Sequence, residues 1–349
     1  MAPRNRQNPL VREFILRNVA EHPNDIGALA INKFGLSRTA INRYVVRLID
    51  EDLIVATGKT KARRYELKNF ADVEFRQENI TRLLDEDVIW RYKILPHIHD
   101  LNQNVKDICQ YCFTEILNNV IDHSLSDDAL ISYQQNYCNI SMSIADTGVG
   151  IFEKIQKDFN LADPRSALFE LSKGKLTSDK KRHSGEGIFY TSRMLDRFQI
   201  RSGNLCYSRV REDGDDWLIE TGHFQEHLSG TTIIMNISTD ALWTTRSVFD
   251  EYQKHGFKFR KTHVPISLGN YPGEQLVSRS QAKRVLARFD QFSEVILDFQ
   301  GVDDIGQPFA DEIFRVFQNS HPEIRIVAFR TNENIDKMIK YVSHREDYS

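Results

Sequence analysis

What the chain has little of narrows its class before any motif is read. No apolar run in its 349 residues approaches the ~20 needed to cross a bilayer, and the opening MAPRNRQNPLVREF carries charge with no apolar signal core behind it. A cytoplasmic protein with no membrane partner is therefore expected. Cysteine is scarce: Cys109, Cys112, Cys138 and Cys206 are too few and too scattered to staple a secreted fold. Cys109 and Cys112 form a CxxC, but no second ligand pair accompanies them and they lie in an apolar helical stretch, which predicts packed thiols and not a zinc site.

The length exceeds what one core usually serves, so two or three domains are expected. Charge divides unevenly between them. Residues 1–70 hold 13 Lys/Arg against 7 Asp/Glu, a net of +6, and the remainder holds 33 against 42, a net of −9. A basic head on an acidic body suits a polyanionic partner for the head alone.

Within that head, Leu10, Phe14 and Ile15 give a first helix its inner stripe, ended by His22-Pro23. Asp25 is placed to cap a second helix with Ile26, Leu29, Ala30 and Phe34 inside, and Gly35 supplies the turn. Ser37 caps a third, in which Ile41, Val45 and Leu48 face inward and Arg38, Thr39, Asn42, Arg43 and Arg47 outward. Residues 53–67, LIVATGKTKARRYEL, read as two short strands around a loop with Lys59, Lys61, Arg63 and Arg64. Residues 1–70 thus read as a winged helix-turn-helix for double-stranded DNA, the third helix reading base edges and the wing neutralising phosphates. A protein-docking module of the same shape is the alternative.

The middle of the chain carries the densest set of polar signals. In CFTEILNNVIDHS, Glu115, Asn119, Asp122 and His123 are spaced to share one face of an otherwise apolar helix, where they would be costly to bury without a ligand. A strand with Ile140, Met142 and Ile144 alternating then ends at Asp146, followed by Gly148 and Gly150. Further on, Ser184, Gly185 and Gly187 precede another helix, whose exposed amides suit phosphate.

The order ExxxNxxDH, DTGVG, SGEGI and then Gly230-Thr231-Thr232 resembles the GHKL superfamily of gyrase, heat-shock chaperone, sensor histidine kinase and mismatch-repair ATPases, over roughly residues 90–240. The resemblance implies a GHKL α/β sandwich, the Bergerat-type ATP-binding fold, over residues 71–245. It implies ATP and Mg2+ as ligands, with Asn119 on the metal and Asp146 accepting from the adenine amino group. Gly148 and Gly150 would lie close to the base, and Thr231, Gly185 and Gly187 would complete the pocket. Glu115 would orient the attacking water or hydroxyl. Residues 152–184 would be a mobile lid, whose Lys173, Lys175, Lys180, Lys181 and Arg182 close on phosphate or are simply solvated. Asp122 matches the acid of the gyrase-like pattern and His123 a histidine of the anti-sigma kinase branch; the sequence leaves open which of them acts.

Past Trp243, strand and helix alternate, and SRSQAKRVL (278–286) with LDFQGVDDIGQPFADEIF (297–314) resembles the STAS-like domains that follow such ATPases. A small STAS-like α/β domain is expected over 255–349, as a docking surface for a protein partner or for a homodimer. Gly306-Gln307-Pro308 stand where the antagonist class carries its phosphorylatable serine, so self-phosphorylation there is not expected. Asp303, Asp304 and Asp311 read as solvated. The fold class is α/β and multi-domain throughout. Three functions fit: an ATP-gated DNA-binding transcriptional regulator, an anti-sigma-type serine/threonine kinase acting on a separate partner, and an ATPase switch in a stress or defence system. No phosphoacceptor hairpin precedes Glu115, and His97 and His99 read as ordinary residues, which disfavours a sensor histidine kinase.

Overall fold

A computed structural model of the chain describes residues 8–59, 62–174, 176, 185–211, 215–220, 228–252, 261–269 and 275–343. Helix α1 (Pro9–Asn18) starts on a proline in its first turn, with the Asn8 side chain accepting from the Leu10 N–H at 3.0 Å. It buries Val11, Ile15 and Leu16, while Leu10, expected inside, is 66% exposed. Leu10 lies one position off the i, i+4, i+5 row that the three buried residues form. Helix α2 (Ile26–Phe34) ends at Gly35 with φ 63°, a left-handed cap. Asp25 does not cap it through its side chain; the carboxylate turns instead to His22 Nδ1 at 3.2 Å. Helix α3 (Arg38–Asp50) begins where Ser37 Oγ accepts from the Ala40 N–H at 3.2 Å, and it buries Ile41, Val45 and Leu48 as the spacing predicts. Strands β1 (Ile54–Thr57) and β2 (Arg64–Leu67) pair antiparallel beside these helices.

Seven antiparallel strands make the central sheet: β3 (Ala71–Glu78), β4 (Asp128–Gln135), β5 (Asn139–Asp146), β6 (Arg197–Gly203), β7 (Leu205–Val210), β8 (Asp215–Glu220) and β9 (Leu228–Ser238), in the order β3-β4-β5-β9-β6-β7-β8. The alternation in β5 is used for burial: Ile140, Met142 and Ile144 lie opposite Ile237, Met235 and Ile233 of β9, and all six are buried. Helices α4 (Glu86–Ile89), α5 (Gln103–Asn119), α6 (Ile151–Asp158), α7 (Pro164–Lys173), α8 (Gly187–Met194) and α9 (Thr245–Tyr252) complete this unit. Of these, α5 packs on β5, α8 and α9, and α6 and α8 pack on β6. The described part of the expected lid is therefore mostly helical, α6 and α7 joined by a turn at 159–163. Asp163 caps α7 by accepting from the Ser166 N–H at 2.8 Å, and residues 167–173 are all buried.

A second sheet follows, of three parallel strands β10 (Lys261–Pro265), β11 (Glu294–Asp298) and β12 (Arg325–Phe329) in sequence order. Parallel pairing is what alternating strands and helices require. Helix α10 (Arg279–Leu286) opens with a Ser278/Gln281 capping box, α11 (Gln307–Asp311) runs on into a π turn at Glu312–Phe317, and a last helix spans Glu333–Ser343. The chain is a mixed α/β protein of several units. Among the described residues no helix is long and apolar enough to cross a membrane.

Candidate functional site

Helix α5 does not end as an α-helix: residues Val120–Ser124 form a π turn, after which Leu125 turns left-handed at φ 59°. A π turn takes up one extra residue, so His123 comes back into line with Asn119 and Glu115, and Asp122 is turned aside. The three aligned residues border a cavity of about 270 Å³, near the lower end of the range of about 300–1,000 Å³ for ligand pockets. Asp146, Gly150, Gly185, Gly187 and Thr231 border the same space. Eight sequence-expected positions, scattered from 115 to 231, therefore meet at one place. Asp122 and Gly148 are not in the walls, and Lys181 and Ser184 lie outside the described residues.

Asp146 ends β5 at 5% exposure, and its Oδ1 accepts from the Gly148 N–H at 2.8 Å. Burial raises its pKa, and the backbone N–H groups of Gly148 and Thr231 pull it part of the way back. Gly148 acts from behind the wall. A Cβ there would stand 1.9 Å from the Ser124 carbonyl oxygen, and the next N–H, of Val149, donates to that oxygen at 2.8 Å. The end of the π turn and the end of β5 can touch only because residue 148 has no side chain. Thr231 receives the Ile151 N–H at 2.9 Å, which ties β9 to the start of α6, and Ser202 Oγ donates to the Gly230 carbonyl at 2.8 Å.

Glu115 reaches the amino end of α8, where a Cβ on Gly187 would lie 2.1 Å from its Oε2. A carboxylate there meets the positive end of the helix dipole. Asn119 is the outlier: its Nδ2 is buried with no hydrogen-bond partner among the described residues. An orphaned buried N–H donor costs about 1–3 kcal/mol, and the acceptor it calls for is an oxygen of a ligand or of water. Its carboxamide oxygen is the hard donor that Mg2+ takes. Among the described residues no three His, Cys, Asp or Glu side chains cluster to hold a metal.

Sequence reading missed the wall that α6 contributes. Lys154 and Asp158, paired at 3.1 Å, border the cavity with Ile155 and Phe159. The detectable signal was an i, i+4 ion pair on a short amphipathic helix directly after the glycines. The expectation for Lys173 is corrected: it neither closes on phosphate nor lies in a solvated loop, but is fully buried at the end of α7. The CxxC thiols are buried core groups as predicted, Cys109 pushed up to about 12 by burial and Cys112 well above its usual value for the same reason.

In the basic head, Arg38, Thr39, Asn42, Arg43 and Arg47 are all exposed on α3, and Lys59, Arg63 and Arg64 are exposed near the hairpin loop; Lys61 lies outside the described residues. Arg47 Nε is held by Glu51 at 2.8 Å and Arg64 Nε by Glu66 at 2.7 Å. The head sits on the central unit through α1. Tyr137 donates to Glu13 at 3.0 Å, the Cys138 thiol to the Leu16 carbonyl at 3.5 Å, and Arg17 pairs with Asp240.

In the tail, Asp303 and Asp304 are exposed as expected, but Asp311 is 3% exposed and bound by Arg315 at 2.6 and 2.8 Å. Asp311 ends α11, and the i, i+4 arginine in the π turn that continues it supplies the countercharge that its burial needs. No curated protein matches the chain. A family model, that of a STAS-like domain of unknown function (DUF4325), matches residues 281–336, the stretch from α10 to the start of the last helix. The C-terminal unit of this chain thus contains a STAS-like domain.

Proposed function

We propose that the chain is an ATP-gated DNA-binding regulator: a GHKL-type cavity takes Mg-ATP, and a winged helix-turn-helix head binds duplex DNA. The observation that carries this reading is the gathering of Glu115, Asn119, His123 and Asp146 on one cavity, where the buried amide nitrogen of Asn119 has no acceptor among the described residues. In the proposed complex, Asn119 would hold Mg2+ through its amide oxygen, and the ion would supply charge neutralisation for the phosphates. Asp146 accepts from the base, and Glu115, at the head of α8, orients the attacking oxygen. Gating is supported by strand β5. It runs about 24 Å, seven steps of ~3.4 Å, from Asn139, next to the Tyr137–Cys138 contact with α1, to Asp146. Occupancy at one end bears on the seat of the head at the other, provided ATP favours one arrangement of the two.

A single assay tests both halves: retention of the chain on duplex DNA at fixed salt, with and without Mg-ATP. Arg43→Ala with Arg47→Ala is expected to abolish retention and keep ATP binding, and Asn119→Ala to lose Mg-dependent ATP binding. DNA retention unchanged by the arginine pair refutes the assignment of α3. A second reading, phosphoryl transfer to a hydroxyl of a separate protein, is favoured by one observation: His123, and not Asp122, borders the cavity. Labelled ATP added to extract with the purified chain distinguishes the two, since a pure DNA regulator labels no protein.

A further inference from the structure

The contact between the central unit and the STAS-like unit is charged and buried. Lys173, the last residue of α7, is fully buried; its ammonium donates to Glu170 at 2.7 Å and to the carbonyls of Ala287 and Arg284 at 3.1 and 3.3 Å. The Phe169 and Phe289 rings lie 4.5 and 5.6 Å from it. Arg288 reaches back from the other side, to Glu170 Oε2 at 2.9 Å and to the Gly174 carbonyl at 2.7 Å. Thr262, on β10, donates to the Lys173 carbonyl at 2.7 Å. The three ammonium donors are matched by three acceptors, two of them from the C-terminal unit, so α7 cannot leave that unit without stranding buried charge.

The same helix has a second duty. Leu171, between Glu170 and Lys173, is a wall of the cavity, and Leu176, just past the helix, is another. Leu176 is itself fixed from the far side, its N–H donating to the Gly185 carbonyl at 3.1 Å. One face of α7 therefore shapes the cavity and the other is gripped by the STAS-like unit.

We propose that the STAS-like unit sets the affinity of the cavity for nucleotide by holding α7 in place through the Lys173–Glu170–Arg288 cluster. This rests on the reading of the cavity as a nucleotide site. A wall already fixed in its binding arrangement costs no ordering when ligand enters, so the clamp raises affinity. Coupling is reciprocal, so nucleotide must in turn tighten the junction, and a partner docked on the STAS-like unit would act on the cavity by the same route.

The test is calorimetric titration of Mg-ATP into the full chain, paired with hydrogen exchange over residues 164–174 and 279–291. Arg288→Ala is expected to weaken Mg-ATP binding by about fivefold or more, within the usual range of coupling between sites, and to abolish the protection that Mg-ATP confers on 279–291 in the parent chain. Arg288→Lys keeps the charge and loses the fork, so it should fall between them; it carries the test if the alanine variant does not fold. Equal affinity in the parent and in the Arg288 variants, or exchange at 279–291 that ignores Mg-ATP, overturns the inference and leaves the nucleotide site standing. A parent chain that shows no saturable binding, like Asn119→Ala, removes the nucleotide reading and this inference together.

Discussion

Gly148→Ala isolates the structural support of the cavity from its chemistry, because residue 148 stands behind the walls. Its φ is not in the left-handed region, so an alanine meets no backbone penalty there. The whole effect is steric. An added Cβ would lie 1.9 Å from the Ser124 oxygen and 2.6 Å from its carbonyl carbon, and both atoms are backbone, so no side chain can swing away. Relief requires the π turn and the end of β5 to separate by more than an ångström. That strains or breaks the Val149 to Ser124 and Gly148 to Asp146 hydrogen bonds, each 2.8 Å long. Two such bonds at about 1 kcal/mol each, with about 1–2 kcal/mol of overpacking, give a loss of about 3–4 kcal/mol. For a unit of roughly 150–250 residues each kcal/mol lowers the melting temperature by about 2–4 °C, so a fall of about 6–16 °C is expected in differential scanning calorimetry. Gly27→Ala is the control. Nothing lies within 4 Å of its added Cβ, it sits inside α2, and a gain of about 0.5–1 kcal/mol is expected there. A Gly148→Ala protein that melts within 2 °C of the parent, by the roughly 2–4 °C per kcal/mol scale, would refute the reasoning.

Three further outcomes follow from the electrostatics. Glu170→Gln strands both Lys173 and Arg288 and should cost about 3–5 kcal/mol, whereas Lys173→Met leaves Glu170 to Arg288 and should cost clearly less; equal shifts in urea midpoint would exclude a shared anion at the junction. Burial raises the pKa of Asp146, so its ionised form is penalised in the fold: the cost is absent below the ordinary carboxyl value and grows as pH rises through the folded value. Asp146→Asn should therefore melt higher than the parent at pH 7 while losing ATP, and a lower melting temperature would contradict the sign. At Asp298, 2% exposed, burial works to raise the pKa, but hydrogen bonds from His263 and Arg330, with the Gln300 N–H, outweigh it and hold the group at about 2. Its stabilisation, about 2 kcal/mol, is present above the unfolded value near 3.8 and lost as pH falls towards about 2. Asp298→Asn should therefore be less stable than the parent at pH 6 and match it near pH 2, and a gap that persists in acid would locate the loss elsewhere.

Signals that act within a few residues were legible in the sequence. Ser37 starts a helix and Gly35 ends one because capping needs only the adjacent backbone. Ile140, Met142 and Ile144 could be assigned to one face because a strand has a fixed period of two. The gathering of Glu115, Asn119, Asp146, Gly187 and Thr231 around one space was legible only as an ordered set of motifs; spacing alone does not bring residues 115 and 231 together. What escaped depends on partners far along the chain. Lys173 read as a free lysine because its acceptors at Arg284 and Ala287 are 111 and 114 residues away. Asp311 read as solvated because an arginine one turn on does not by itself reveal that the helix is buried. Asp122 falls on the face of Glu115 and Asn119 only in an unbroken α-helix, and the stretch is wound as a π turn.

That surplus residue in the winding at 120–124 separates the length of the stretch from its register. Shortening it by one position would let α5 continue as ordinary helix, a change the backbone tolerates better than a cut elsewhere in α5, and the positions beyond the cut would keep their phase because the π turn had absorbed the extra residue. The imidazole of His123 would then stand seven positions after Glu115, still on the side that Asn119 shares, while the apolar side of α5 kept its seat. A homologue one residue shorter there would thus preserve both the architecture and that single group, a correspondence that substitution patterns alone would not disclose.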